Sequence, residues 1–238
     1  RPKGRCDGMI HRESRYRVDR ALVVRDWPAL AVLAALLAAG VVLYPHLPDL
    51  VPAHWNIRGE VDNYFSRFWG AFALPLLAAG VYLAMLFAPY IDPRRDSYVR
   101  FEGAYRAVRL GLVFFLAVLQ AVILAVALGG PPELVPRVVP ATLGLLMLVI
   151  GNYLPQARFN YFFGVRTPWT LASEKVWRRT HRFAGPAFVL GGLAALAAAF
   201  LPPPANFAVG IGGAGAAALA SVVYSYLAFR RLGAAPGQ

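Results

Sequence analysis

The sequence predicts an all-α integral membrane protein. It has six transmembrane helices, both termini in the cytoplasm, and a short amphipathic helix ahead of the fifth span. Three observations predict this. The 238 residues are 58% hydrophobic and only 15% charged, with a mean hydropathy of +0.52, whereas a soluble domain carries about a quarter charged residues. Apolar runs near the ~20 residues needed to cross a bilayer recur along the whole length. Finally, 21 of the 24 Lys and Arg side chains fall in the two tails and in the second and fourth inter-helix segments. The positive-inside rule therefore places those segments in the cytoplasm. The net charge of +12 is thus a topology signal, with attraction to anionic membrane lipids as a by-product. No direct nucleic-acid partner is expected.

Residues 1–26 form a basic cytoplasmic tail. Met9 opens "MIHRESRYRVDR" and reads as a native start, so residues 1–8 are given no function. The single Cys6 excludes an intrachain disulfide and a Cys-rich metal site. Apolar runs place spans at about 28–44, 68–87, 107–128, 138–154, 183–201 and 207–229. The first is not a cleaved signal: its charged lead is long and no small-residue cleavage site follows. Trp27, Tyr44, Trp69, Tyr82, Tyr90, Tyr153 and Tyr226 mostly fall near span ends, where amphipathic rings suit the headgroup level. Pro75 and Pro186 lie inside helices and should kink them. Residues 27–106 read as a two-helix domain and 107–231 as a four-helix domain, followed by a tail at 232–238.

Residues 45–67 form the first outside loop, "PHLPDLVPAHWNIRGEVDNYFSR". Pro45, Pro48 and Pro52 argue for extended or turn structure rather than helix. Gly59 permits a tight turn, and Trp55 suits the outer interface. One reading is a structured loop in which His54 and Asn56 bond its backbone. The other is a recognition surface of His54, Trp55, Asn56 and Gly59, because a plain connector needs only a few residues. His46, His54, Asp49, Glu60 and Asp62 match no tight ligand spacing, so no metal and no cofactor are expected.

The fourth inter-helix segment is the richest in polar residues: "GNYLPQARFNYFFGVRTPWTLASEKVWRRTHRFAG", 151–185. Asn152 precedes Pro155, which cannot continue the helical ladder. Thr167 is a good N-cap and Pro168 a good first helical residue. From there Trp169, Ala172, Ser173, Val176, Trp177 and Thr180 recur at helical spacing on one face, with Glu174, Lys175, Arg178 and Arg182 on another. The expectation is one basic amphipathic helix over 168–182, at the inner membrane surface and running into the fifth span. Arg166, with five donors, is expected to tie down the helix-end carbonyls at 152–155.

These residues resemble the signature of the SdpI family of bacterial membrane proteins. The pattern comprises Gly151, Asn152, Pro155, Asn160, Gly164, Arg166, Thr167, Pro168, Trp169, Thr170, Leu171, Trp177, Thr180, His181, Arg182 and Gly185. The upstream "LPDLVPAHWNIRGEVDNYFSR" resembles the small membrane domain of unknown function that commonly precedes it. The resemblance implies a multi-pass bacterial plasma-membrane protein. It further implies an immunity protein against an extracellular peptide toxin, and a receptor holding a cytoplasmic transcriptional repressor. On that reading Lys175, Arg178 and Arg179 form the docking surface for the regulator.

Other function classes are weighed on the residues alone. For an enzyme, no Ser-His-Asp set, metal motif or phosphate-binding Gly loop is present, and topology separates His54 from His181, so no catalytic residue is assigned. For a transporter, the spans hold almost no ionisable residue; Gln120 is the one strongly polar side chain near a helix middle and reads as interhelical glue. A non-catalytic scaffold stays open. The small-residue face at Gly210, Gly212, Gly213 and Gly215 suits packing within the bundle, with oligomerisation as the alternative.

Overall fold

The computed structural model describes residues 15–233. The start at Met9, Cys6 and the tail beyond 233 lie outside the described residues. Helix α1 is Arg20–Arg25, capped by the Asp19 carboxylate, which accepts from the Leu22 N–H at 2.8 Å. Next come α2 (Trp27–Leu43), strands β1 (Leu50–Trp55) and β2 (Val61–Ser66), and α3 (Arg67–Ile91). A 3₁₀ turn at Arg95–Phe101 leads into α4 (Glu102–Ala127), which is followed by α5 (Leu134–Tyr153). The last helices are α6 (Pro168–Ala172), α7 (Glu174–Ala198) and α8 (Ala205–Gly233).

Among the described residues, five helical stretches are long and apolar enough to cross a membrane: those containing α2, α3, α4, α5 and α8. The segment expected as the fifth span is carried by α7, whose first turns are charged and whose apolar part starts only after Arg182. The bundle is helical as expected, with one antiparallel pair, β1–β2, in the loop expected to be extended or turn structure. Asn56 builds its turn. The Asn56 side-chain oxygen accepts from the N–H groups of Arg58 (2.8 Å) and Glu60 (3.1 Å), while Gly59 takes φ +80°. The sheet folds back on the bundle because Val51, fully buried, seats on Gly70 of α3. A Cβ at Gly70 would stand 2.5 Å from that of Val51.

Proline explains several contacts between helices. A proline inside a helix leaves the carbonyl four residues earlier without its N–H partner, a costly vacancy in hydrocarbon. Three such carbonyls are met by side chains from a neighbouring helix. Pro75 frees Ala71, whose oxygen accepts from Gln120 Nε2 at 3.2 Å. Pro89 frees Met85, which accepts from the Tyr105 hydroxyl at 2.6 Å. Pro140 frees Pro136, which accepts from Asn206 Nδ2 at 2.5 Å.

Helices α5, α7 and α8 pack most closely, and glycine is the reason. Cβ atoms at Gly144 and Gly151 of α5 would each stand 2.7 Å from carbonyl oxygens of α7, those of Gly192 and Gly185. On the other side of α7, a Cβ at Gly191 would stand 2.9 Å from the Gly213 carbonyl of α8. Backbones approach this closely only where no side chain intervenes. The small-residue face of α8 therefore divides. Gly210 and Gly213 pack inside the bundle, while Gly212 and Gly215 meet nothing within 4 Å.

Two expectations are corrected. The helix expected over 168–182 is broken: α6 ends at Ala172, and extended Ser173 caps α7, its hydroxyl accepting from Val176. The second concerns ionisable residues: one charge buried in a span, Arg109 of α4, pairs with Asp26 in the link between α1 and α2. Arg109, in the second turn of α4 and 1% exposed, donates to Asp26 Oδ2 at 2.5 Å, and Arg106 Nε donates to Asp26 Oδ1 at 2.8 Å. The Tyr82 hydroxyl also donates to Asp26 at 3.2 Å, so this ring serves the bundle interior rather than the headgroups. The pair was hidden because its members lie 83 residues apart.

Candidate functional site

The signature residues fold into one module at the end of the bundle where α5 ends and α7 begins. Asn160 is its hub and is completely buried. Its Nδ2 donates to the carbonyls of Arg158 (2.8 Å) and Phe163 (3.1 Å), and its Oδ1 accepts from the N–H groups of Phe162 (2.9 Å) and Phe163 (2.7 Å). Every hydrogen-bonding position of the amide that burial would otherwise leave costly is filled.

That hub is bolted to the first half of the chain. Asp92, following α3, accepts from the Tyr98 hydroxyl at 2.7 Å and from the Tyr161 N–H at 2.9 Å. The Tyr98 hydroxyl also lies 3.2 Å from Asn160 Oδ1. The Arg94 guanidinium sits 3.9 Å over the Phe159 ring, a cation–π contact. Neither Asp92 nor Tyr98 was identifiable from the sequence, since their partners in the signature loop lie 69 and 62 residues downstream.

On the other flank, Trp177 and His181 stack at 4.1 Å and are both fully buried. Trp177 Nε1 donates to the Ala157 carbonyl at 2.9 Å, so this ring anchors in protein rather than in the headgroup layer. The Trp177 carbonyl can only accept, so His181 Nδ1, 2.8 Å away, carries a proton and donates to it. His181 Nε2 accepts from the Val165 N–H at 3.0 Å. The ring is thereby fixed as the neutral Nδ1–H tautomer, with both nitrogens engaged. Gly164, at φ +112°, passes so close that a Cβ there would stand 2.2 Å from Nε2.

Thr167 and Pro168 open α6 as expected. Thr167 and Thr170 form a reciprocal capping box, and Thr167 Oγ1 lies 3.0 Å from Ser225 Oγ of α8. Trp169 rests on Tyr226, ring centroids 5.1 Å apart. Pro155 lies against Gly185, and Asn152 is exposed. Arg166 is a correction: it is exposed and donates to the Tyr161 carbonyl at 3.1 Å, inside its own loop, not to the 152–155 carbonyls. The 3₁₀ turn Leu154–Gln156 already draws the chain past that helix end.

Lys175, Arg178, Arg179 and Arg182 project from the first turns of α7. With Arg100 and Arg158 they surround a polar cavity of about 780 Å³. At the opposite end of the bundle, His54, Trp55 and Phe65 of the hairpin roof an apolar cavity of about 350 Å³, walled by Leu119, Val122, Val135 and Phe207 among others. His54 Nδ1 lies 2.5 Å from Asp62 Oδ1, a side chain across the hairpin rather than the backbone partner expected. The His54 and Asn56 interactions organise the hairpin, and Trp55 packs half-buried against the α4–α5–α8 cluster.

Long apolar helices joined by two structured end modules define a multi-pass plasma-membrane protein. Within that class, residues 156–225 match the model of the SdpI/YfhL protein family. Ahead of it, residues 31–79 match a domain of unknown function, DUF1648. The chain is 23% identical over 164 residues to "Immunity protein SdpI" of Bacillus subtilis (strain 168), spanning 69% of this chain and 76% of that relative. No solved structure matches.

Proposed function

We propose that this protein is an immunity or receptor-type protein with six spans and both termini in the cytoplasm. Its hairpin end senses or neutralises an extracellular toxin-like peptide, and its signature end docks a cytoplasmic transcriptional repressor through Lys175, Arg178 and Arg179. One observation carries the reading: a single bundle presents an elaborated module at each end, and its sequence is similar to an immunity protein. The orientation rests on the basic bias, and the sixth span on α7, flanked by α5 and α8. The role is non-enzymatic: His54 and His181 lie in opposite end modules, and both His181 nitrogens are held by backbone.

The test is survival. A sensitive bacterium expressing the chain is challenged with peptides secreted by the source strain. Protection that weakens in His54→Ala supports the reading. Survival equal to the empty-vector control, with the chain present in the membrane, overturns it in favour of a scaffold. Docking is tested separately by Arg178→Glu with Arg179→Glu, which should release a bound regulator. Rescue by a Lys introduced on the regulator would identify the contact.

A further inference from the structure

We propose that the basic cavity at the signature end binds the phosphate headgroup of an anionic phospholipid. This goes beyond regulator docking, which needs only one helix face. Docking leaves unexplained why Arg100, from the turn before α4, and Arg158, from the loop after α5, converge on the same concavity as Lys175, Arg178, Arg179 and Arg182. Three chain segments that meet only in the folded bundle supply six cations to one cavity of about 780 Å³. That is the size range of a small-ligand site.

Their charge is almost uncompensated. Among the described residues, Arg178 is the only one of the six to approach a carboxylate, Glu174 at 3.9 Å. Six like charges around one hollow repel one another, so the arrangement calls for an anion. Guanidinium forks match phosphate oxygens in geometry as well as charge. The cavity lies at a membrane boundary whichever way the protein faces, because its wall includes Pro155 just past α5 and Leu232 at the end of α8. A lipid phosphate occupies that depth, and basic pockets between helix ends are a known form of headgroup site.

The test uses the full chain in nanodiscs, exchanged into equal amounts of phosphatidylglycerol, diphosphatidylglycerol and phosphatidylcholine, with retained lipid read by native mass spectrometry. Wild type should retain the anionic lipids in preference to phosphatidylcholine. Arg100→Gln with Arg158→Gln should lower that preference by roughly 30-fold, each cation near a lipid surface being worth roughly fivefold. Arg100→Lys with Arg158→Lys should recover most of it. All of these side chains are exposed, and an unchanged circular-dichroism melt confirms the fold of each variant. Equal retention by wild type and the double Gln variant overturns the proposal. So does tighter binding of inorganic phosphate or pyrophosphate in phosphatidylcholine discs, which would make the ligand soluble. Capture of an acidic protein in place of lipid, lost with the same pair, overturns it as well.

Discussion

Gly164 and His181 are interlocked: the His181 ring nitrogen Nε2 occupies the space that a Cβ on Gly164 would need. The Val165 N–H then donates to that nitrogen at 3.0 Å, so the turn and the helix start are one unit. Gly164→Ala meets two obstacles. A positive φ costs an L-residue ~1–2 kcal/mol, and the new methyl would lie 2.2 Å from Nε2. The variant should melt several degrees lower in detergent, with His181 displaced. His181→Ala in the same chain should remove the collision but not the backbone strain, giving partial recovery. A wild-type melting temperature for Gly164→Ala would contradict the interlock.

His181→Phe tests the tautomer argument without the steric one. The ring stays large enough to stack on Trp177, yet the Val165 N–H loses its acceptor. An unpaired buried donor costs about 1–3 kcal/mol. The variant should lose about that much stability, measured by denaturation in mixed micelles. A neutral result would mean that water replaces the nitrogen and that His181 is not a structural acceptor.

What could be read from the sequence was what is local. Apolar runs gave the long helices, and Thr167-Pro168 gave the start of α6, because both signals sit within a few residues. The break at Ser173 was missed since Val176, Trp177 and Thr180 continue the helical period across it; the sign was Ser173 followed by Glu174, an N-cap and an acidic first turn. Strand β1 was missed as a strand because Pro52 interrupts it and its burial comes from Val51 landing on Gly70 of another element. Arg166 was given the wrong partner because orphan carbonyls at a helix end look available until the following 3₁₀ turn is seen. The pairs Asp26–Arg109 and Asp92–Tyr161 join distant segments, and one sequence holds no local trace of them.

Pro75 and Gln120 should be energetically coupled although their side chains need not touch. Gln120 is buried and donates to the Ala71 carbonyl that Pro75 leaves open, and to the Gly70 carbonyl at 3.0 Å. Gln120→Leu should destabilise the wild type, and destabilise Pro75→Ala less, because residue 75 then supplies its own N–H. Interhelical hydrogen bonds in membranes couple by about 0.6 kcal/mol on average and up to about 1.7; a coupling of about 1 kcal/mol is expected here. Strict additivity in the double-mutant cycle would remove the proline-compensation account.

Gly144 and Gly215 provide a contrast within the small-residue helices. Gly144→Leu must push α5 from α7, because its Cβ alone would stand 2.7 Å from the Gly192 carbonyl. Overpacking of this kind typically costs about 1–3 kcal/mol. Gly215 meets nothing within 4 Å, so Gly215→Leu should leave the monomer's melting temperature unchanged. Light scattering on the same samples decides the remaining question about this face. A changed oligomeric mass in Gly215→Leu would assign Gly212 and Gly215 to a contact between copies, and an unchanged mass would leave the face to lipid.

The orientation prediction rests on charge and is tested with single cysteines. Glu60 lies in the hairpin turn and Glu174 at the start of α7, both exposed and in opposite end modules. In a Cys6→Ser background, Glu60→Cys removes one acceptor of Asn56, and Glu174→Cys removes one weak pairing with Arg178. Neither change touches a buried side chain, so both variants should insert normally. With 21 of the 24 basic residues in the segments expected inside, a membrane-impermeant thiol reagent should label Glu60→Cys in intact cells. It should reach Glu174→Cys only after permeabilisation. Labelling of both in intact cells would mean that an even number of crossings separates Glu60 from Glu174, and would remove one of α3, α4 and α5 from the spans. Labelling of Glu174→Cys alone would invert the protein, placing the basic cavity and the regulator-docking helix outside and ending the case for a cytoplasmic partner.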